Sequence, residues 1–169
     1  IGGFCITEAN AGSDAGGVET HAVKDGDSYI INGTKIFVTN GAVCGAPLIF
    51  AITNPKSAKK GASVFIVEKT TPGFAVGEIE DLCGMRANPV SSLFLEDCRV
   101  PEENLLGKVG DGLKIGLATL DTGRLGIAAQ ALGIAQAAFE ASVRYSKERQ
   151  QFKQAIASFQ TIQNMLADM

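Results

Sequence analysis

Phe4-Cys5-Ile6-Thr7-Glu8-Ala9-Asn10-Ala11-Gly12-Ser13-Asp14 is the stretch on which the reading of this sequence turns. With Gly3, its first residues form a short β-like run. Its second half is built of small residues and hydroxyls, and Gly16 and Gly17 follow. Glycine admits positive φ and close backbone approach, and successive N–H groups in such a turn form an anion-binding nest. Thr7 and Ser13 bring hydroxyls that can bond a heterocycle or a phosphate. Two readings are open on these residues: a loop that holds a polar, phosphorylated cofactor, or a surface turn rich in Gly, Asn, Ser and Asp.

Outward from this stretch, residues 18–106 carry strand signals. Thr20–Lys24 leads into the turn pair Asp25-Gly26. Tyr29-Ile30-Ile31 leads into Asn32-Gly33, the strongest short hairpin signal in the chain. Thr34–Thr39 follows and ends at Asn40-Gly41. Further β-like runs are Leu48–Thr53, Ala62–Glu68, Phe74–Ile79 and Ser91–Leu95, with Pro55, Pro72, Pro89 and Pro101 between or beside them. Lys56–Lys60 reads as a solvated basic tip. Many short strands with regular turns predict a closed antiparallel barrel of about seven or eight strands.

Near Gly110 the period changes. Leu113, Leu117, Leu120, Ile127 and Ile134 recur at helical spacing, and residues 125–143 are apolar around most of the helix, which predicts burial on several sides. Gly116, Gly123, Gly126 and Gly133 each cost about 1 kcal/mol relative to alanine, an expense that close approach of another helix or a ligand would offset. Unbroken, Asp111–Glu148 would run roughly 55 Å, long for a single small core. Residues 151–158 read as a connection, and a second helix starts near Phe159-Gln160. The fold class is therefore α+β, with a β domain over 1–108 and the leading part of a helical domain over 109–169.

The 169 residues allow one or two domains, and a hydrophobic content of 46% supports a real core. A net charge of -3 without a basic tract argues against nucleic acid as a partner. No apolar run approaches the roughly 20 residues of a membrane span, and no signal peptide is visible. Both ends read as interior to a longer protein. Cys5, Cys44, Cys83 and Cys98 form no C-x-x-C pair and His21 is the sole histidine, a poor inventory for zinc. Thiols so scattered suit a reduced compartment, bacterial cytoplasm or mitochondrial matrix.

The string Cys5-Ile6-Thr7-Glu8-x-x-Ala11-Gly12-Ser13-Asp14-x-x-Gly17 resembles the signature of the acyl-CoA dehydrogenase family of flavoproteins, with Ala9 where the family has proline. Later strings match in the same order: Phe37-Val38-Thr39, Gly84-Met85-Arg86-Ala87 with Ser91-Ser92, the run from Val100 to Gly107, the run from Leu120 to Gln136, Arg149-x-x-Phe152, Phe159-Gln160 and Gln163 to Met169. The resemblance covers the whole chain. The Leu120–Gln136 run looks most like short-chain, butyryl-type members. Where the family continues Arg-x-x-Phe with Gly-Lys, this chain has Lys153-Gln154.

The resemblance implies FAD as cofactor. It implies contacts from Phe4, Ile6, Thr7, Gly12, Ser13, Phe37, Val38 and Thr39, with Thr39 near flavin N5. Arg149 and Phe152 would meet the pyrophosphate, often of a neighbouring subunit, and Gln160 the adenine end. Ser13, Leu120, Asp121, Gly123 and Arg124 would line the acyl-CoA channel. Asp121 and Arg124, three positions apart, can pair in any case. The implied reaction is α,β-dehydrogenation of a short-chain acyl-CoA to the trans-2-enoyl-CoA. Electrons would pass to an electron-transfer flavoprotein, and the full protein would be a homo-oligomer, a tetramer or dimer. Alternatives are an acyl-CoA oxidase and a non-catalytic binding scaffold. Isovaleryl and long-chain types carry the catalytic glutamate at the position of Gly123, so the base is expected outside this stretch, and no catalytic residue or metal ligand is assigned within it. Thr7, Ser13, Phe37 and Thr39 should converge on one flavin-sized cleft, with Thr7 and Thr39 within roughly 10–12 Å. The stretch alone is expected to hold FAD weakly and not to turn over.

Overall fold

Strand and helix signals separate near residue 110, and the chain divides close to that change into two compact units, Ile1–Ala118 and Thr119–Met169. The computed structural model describes residues 1–54 and 61–169. The basic tip at Lys56–Lys60 lies outside the described residues.

In the first unit the expected β-runs form eight strands: β1 (Gly2–Cys5), β2 (His21–Asp25), β3 (Ser28–Thr39), β4 (Ala46–Ile52), β5 (Ala62–Ile66), β6 (Phe74–Ile79), β7 (Val90–Pro101) and β8 (Leu105–Leu106). Their order is β6-β7-β3-β2-β4-β5-β8, with β1 beside β4. The expected closed antiparallel barrel is not what forms. The sheet is open, and both β1 and β2 run parallel to β4. The reason lies in how one edge of β4 is shared. β1 occupies it from Ala46 to Ile49, leaving β2 a single registered pair, His21 with Ile52. Closure requires every strand to have two full neighbours at a consistent stagger, and that edge is already divided. The sheet curls nonetheless. Tyr29 of β3 and Phe65 of β5 have ring centroids 4.9 Å apart although β2 and β4 separate their strands. Around them Cys5, Ile31, Ile49, Leu93, Leu95 and Val100 form the core, each large aliphatic or aromatic side chain stabilising by about 1.5–3 kcal/mol on burial.

Asn32-Gly33 is not a hairpin turn. β3 runs through it, and the pairing with β7 shifts between Ile31 and Gly33 because β7 holds an extra residue there. The shift shows in the burial pattern of β7, where Ser91, Leu93 and Leu95 face inward and then Cys98 and Val100 do. Asp97, at φ 49, absorbs the extra residue. The Asn32 side chain clasps it, donating from Nδ2 to Asp97 Oδ1 at 3.1 Å and accepting from the Asp97 N–H at 2.8 Å. Gly33 is needed for close approach: a Cβ there would lie 2.3 Å from Thr20 Oγ1. A strong turn pair thus serves a β-bulge because a neighbouring strand, not a loop, meets it.

α1 spans Gly112–Glu148 without a break, 37 residues and about 55 Å at 1.5 Å per residue. Its first turns pack on the sheet, where a Cβ at Gly112 would meet Ala62 O at 2.6 Å and one at Gly116 would meet Phe50 at 3.1 Å. Close approach therefore offsets the cost at Gly116. At Gly123, Gly126 and Gly133 nothing lies within 4 Å. The expected burial of residues 125–143 does not occur within this chain: Leu125, Ile127, Leu132 and Ile134 are all exposed. The second unit ends with a short hairpin, β9 (Gln150–Gln151) and β10 (Gln154–Ala155), then α2 (Gln160–Asp168). α2 and the end of α1 border an apolar crevice lined by Tyr145, Ser146, Ile156, Ile162 and Leu166. Among the described residues no helix is long and apolar enough to cross a membrane.

Candidate functional site

Strand alternation through Lys35 would turn residue 37 inward. Instead β3 takes an extra residue between Lys35, paired with Leu93, and Val38, paired with Ser91. Val38 becomes buried, Phe37 stands 62% exposed at φ 54, and Thr39 is exposed. Bulges are frequent beside active sites because they re-aim a side chain in this way. The signature stretch runs alongside. The Ile36 N–H donates to Thr7 O at 3.0 Å, and a Cβ at Gly3 would lie 3.6 Å from Thr39 O. Phe4, half-buried, sets its ring edge-on to Phe50 at 4.8 Å.

Beneath this surface lies a pair that the sequence reading did not single out. Lys35 is completely buried, and its Nζ donates to Glu8 Oε1 at 2.6 Å and to Ile6 O at 3.3 Å. Glu8 Oε2 also accepts the Glu19 N–H at 2.6 Å, and Oε1 the Thr20 N–H at 3.0 Å. Burial alone would raise the Glu8 carboxyl, but the hydrogen bonds from Lys35, Thr20 and Glu19 outweigh it and hold the group below its usual value. Burial lowers Lys35, against the opposing pull of Glu8. The signal for Lys35 was its parity, two strand positions apart from Gly33 and four from inward-facing Ile31. The Cys5 thiol is pushed up to about 12 by burial and by Cys44, with Lys35 opposing, so it stays protonated and unreactive at neutral pH.

The loop is not a glycine nest. Gly12, Gly16 and Gly17 are absent from the positive-φ positions among the described residues. A backbone bridge between Glu8 and Ala11 and the Glu8 carboxylate shape it instead. Gly12 and Ser13 sit exposed beyond that bridge, while Ile6 is half-buried. A cleft of about 330 Å³ opens beside the loop, lined by Asn10, Thr20, His21, Asn32, Thr34 and Ile36. Thr7, Phe37 and Thr39 are not among its lining residues.

In the second unit Asp121 and Arg124 form the expected ion pair, but on an exposed face of α1 rather than a buried one. Leu120 and Gly123 are exposed beside them. Arg149 holds the helix end to the β9–β10 hairpin: its N–H donates to Tyr145 O at 2.8 Å and its carbonyl accepts from the Ile156 N–H at 2.8 Å. Phe152 is exposed and meets Phe159 edge-on at 6.0 Å. Gln160 is the exposed first residue of α2. Phe152 and Lys153 form the hairpin turn at φ 51 and φ 65. Left-handed backbone is free of steric cost only for glycine. Lys153→Gly is therefore expected to stabilise the second unit by about 1 kcal/mol, a shift that urea unfolding followed by helical circular dichroism would register; an unchanged midpoint would contradict the strain.

The sequence pattern of the acyl-CoA dehydrogenase middle domain matches residues 3–98, and that of the acyl-CoA dehydrogenase C-terminal domain matches residues 110–169. The chain is 50% identical over 171 residues to the acryloyl-CoA reductase (NADH) of Anaerotignum propionicum, covering 100% of this chain and 43% of that protein. It is 50% identical over 169 residues to the short-chain specific acyl-CoA dehydrogenase of Clostridium acetobutylicum, covering 100% of this chain and 45% of that one. The chain thus spans less than half the length of these relatives. The structure of butyryl-CoA dehydrogenase from Megasphaera elsdenii superposes with a TM-score of 0.96 at 47% identity, covering 99% of this chain and 44% of that one. With the middle-domain pattern alone matching more than half of its residues, the chain belongs to the acyl-CoA dehydrogenase family.

Proposed function

We infer that this chain supplies the flavin-holding β domain and the leading helices of an FAD-dependent short-chain acyl-CoA dehydrogenase, with the domain division near residues 108–109. The observation that carries the reading is the bulge at Ile36–Phe37, which turns an aromatic face outward next to Thr7. A flavin fits these residues. Phe37 offers a flat apolar surface, and neither the Thr7 nor the Thr39 hydroxyl is committed to a partner among the described residues. When bound, FAD supplies the two-electron acceptor for a hydride from the β carbon of the acyl thioester.

The protein's part is position and exclusion of water. Phe37 covers a ring face, with Phe4, Ile6 and Val38 as apolar support. Thr7 and Thr39 orient the polar ring edges by hydrogen bonding. Gly12 and Ser13, both exposed, remain cofactor contacts by the family resemblance, the Ser13 hydroxyl suiting a phosphate or the thioester ligand. Arg149, charged and exposed, matches a pyrophosphate, in this family often that of an FAD held by a neighbouring subunit, with Phe152 beside it and the Gln160 amide toward that adenine. Leu120, Asp121, Gly123 and Arg124 line the acyl-CoA channel: the Asp121 carboxylate fixes Arg124, and Gly123 leaves space. Gly123 cannot accept a proton, so the α proton goes to a glutamate outside these 169 residues. Electron-transfer flavoprotein is the acceptor, the complete protein is a homo-oligomer, and its compartment is bacterial cytoplasm or mitochondrial matrix.

Adding butyryl-CoA anaerobically to the complete, FAD-loaded protein, which carries the glutamate base, is expected to bleach the visible flavin band. Reoxidation by electron-transfer flavoprotein should far outpace reoxidation by air. Rapid recovery in air would assign an oxidase, and no bleaching would remove the substrate assignment. The equal identity to an acryloyl-CoA reductase favours one other reading, the same hydride chemistry run toward the saturated thioester; NADH-dependent consumption of acryloyl-CoA by the protein would assign it.

A further inference from the structure

Three consecutive residues of the signature stretch are tied to two consecutive residues of β3. Ile6 O accepts from Lys35 Nζ at 3.3 Å, Thr7 O from the Ile36 N–H at 3.0 Å, and Glu8 Oε1 from Lys35 Nζ at 2.6 Å. Lys35 is the last registered residue before the bulge that exposes Phe37. The same Glu8 carboxylate gathers the N–H groups of Glu19 and Thr20. A charged pair this deep is weak as a stabiliser, since well-packed apolar residues often replace such pairs without loss. Its value lies in geometry: a carboxylate and an ammonium with fixed partners allow one register, whereas an apolar filling allows several.

We propose that Glu8 and Lys35 are positioning residues, a buried clamp that locks Thr7 to the Phe37 bulge and so sets the geometry of the flavin contacts before the flavin arrives. The proposal rests on the flavin reading given above. Neither residue touches the flavin; each acts through its chain neighbours, Glu8 through Thr7 and Lys35 through Ile36 and Phe37. Both side-chain hydrogen bonds that tie residues 6–8 to β3 come from the Lys35 ammonium, one to Glu8 and one to the Ile6 carbonyl.

The test compares wild type, Glu8→Gln and the double variant Glu8→Gln/Lys35→Met in the complete protein. FAD affinity is read by fluorescence titration of the apoprotein, and flavin geometry by the visible circular dichroism of the bound cofactor. Loss of one partner of a buried pair predicts FAD binding weakened about tenfold or more in Glu8→Gln. The visible dichroism should change in both variants at temperatures where each is fully folded. If FAD binds the folded variants within about twofold of wild type with an unchanged dichroic band, the pair is merely structural and the proposal falls. Should wild type itself take up no FAD, the flavin reading fails and takes the clamp with it, a result distinct from the previous one. If the variants do not fold, amide exchange on wild-type protein decides. Slow exchange at Glu19, Thr20 and Ile36 before FAD is added supports a preformed clamp; fast exchange there until FAD is added overturns it.

Discussion

Replacing Glu8 by alanine is expected to destabilise the first unit by about 3–5 kcal/mol, because it strands a fully buried ammonium. Lys35 has no exposed surface and would keep only the 3.3 Å bond to Ile6 O. The Glu19 and Thr20 N–H groups would lose their acceptor at the same time, and the buried Thr20 donor, left unpaired, adds to the cost. Adding Lys35→Met to Glu8→Ala should recover much of the loss, since the stranded charge is then gone. Equal urea midpoints for wild type and Glu8→Ala would show that the pair carries no such weight. The pH dependence follows from the same pair. Glu8 is held below its usual 4.5 in the folded state, so its contribution is fully present above that value. It is lost as pH falls through the lower folded value, with the unfolded chain taking up the proton first. Lys35 is lowered on folding, so in its own alkaline window stability also rises with pH. The acid limb of a stability profile should flatten in Glu8→Gln.

Gly73→Ala is expected to cost about 2–5 kcal/mol, combining left-handed strain with a backbone collision. Gly73 lies at φ 83, and a Cβ on it would sit 1.9 Å from Glu96 O and 3.3 Å from Cys98 Sγ. Its own carbonyl accepts from the Glu96 N–H at 2.9 Å, next to the Asp97 bulge of β7. The added methyl must push the start of β6 off β7, where Phe74 pairs with Leu95. Early amide exchange confined to residues 74–79 and their partners on β7 is the expected signature. Wild-type exchange in the variant would show that the edge strand yields without detaching.

Most strands were legible because period-two alternation and turn residues are local properties. Phe74–Ile79 is a strand over those very residues, and the turn at Asp25-Gly26 forms with Gly26 at φ 63. Sheet closure was not legible, because it depends on which strand takes the edge of β4, a competition between residues far apart. The Asn32-Gly33 misreading has a similar cause. The pair has the right chemistry for a turn, and only the bulge across the strand converts it into a clasp. Lys35 was passed over because charge in a strand reads as solvent-facing, and its partner lies in a loop 27 residues earlier. Thr7 and Phe37 were paired through the family resemblance rather than through spacing. The exposure of Leu125 and Leu132 shows where composition misleads: an alanine-rich helix reads as buried whether or not its covering elements are present.

The pairing of β3 with β7 also has a consequence in time. Thr39 pairs with Val90 and Ser28 with Pro101, so the central ladder joins segments separated by three intervening strands. Non-local contacts of this kind form slowly, since the loop must close before the ladder rewards it. The bulge that exposes Phe37 is defined only against Leu93 and Ser91. On the ribosome, therefore, the signature stretch emerges well before β7 and has no cofactor surface to belong to until β7 has been made, and β3 must wait with an open edge, the state in which strands most readily pair with the wrong chain.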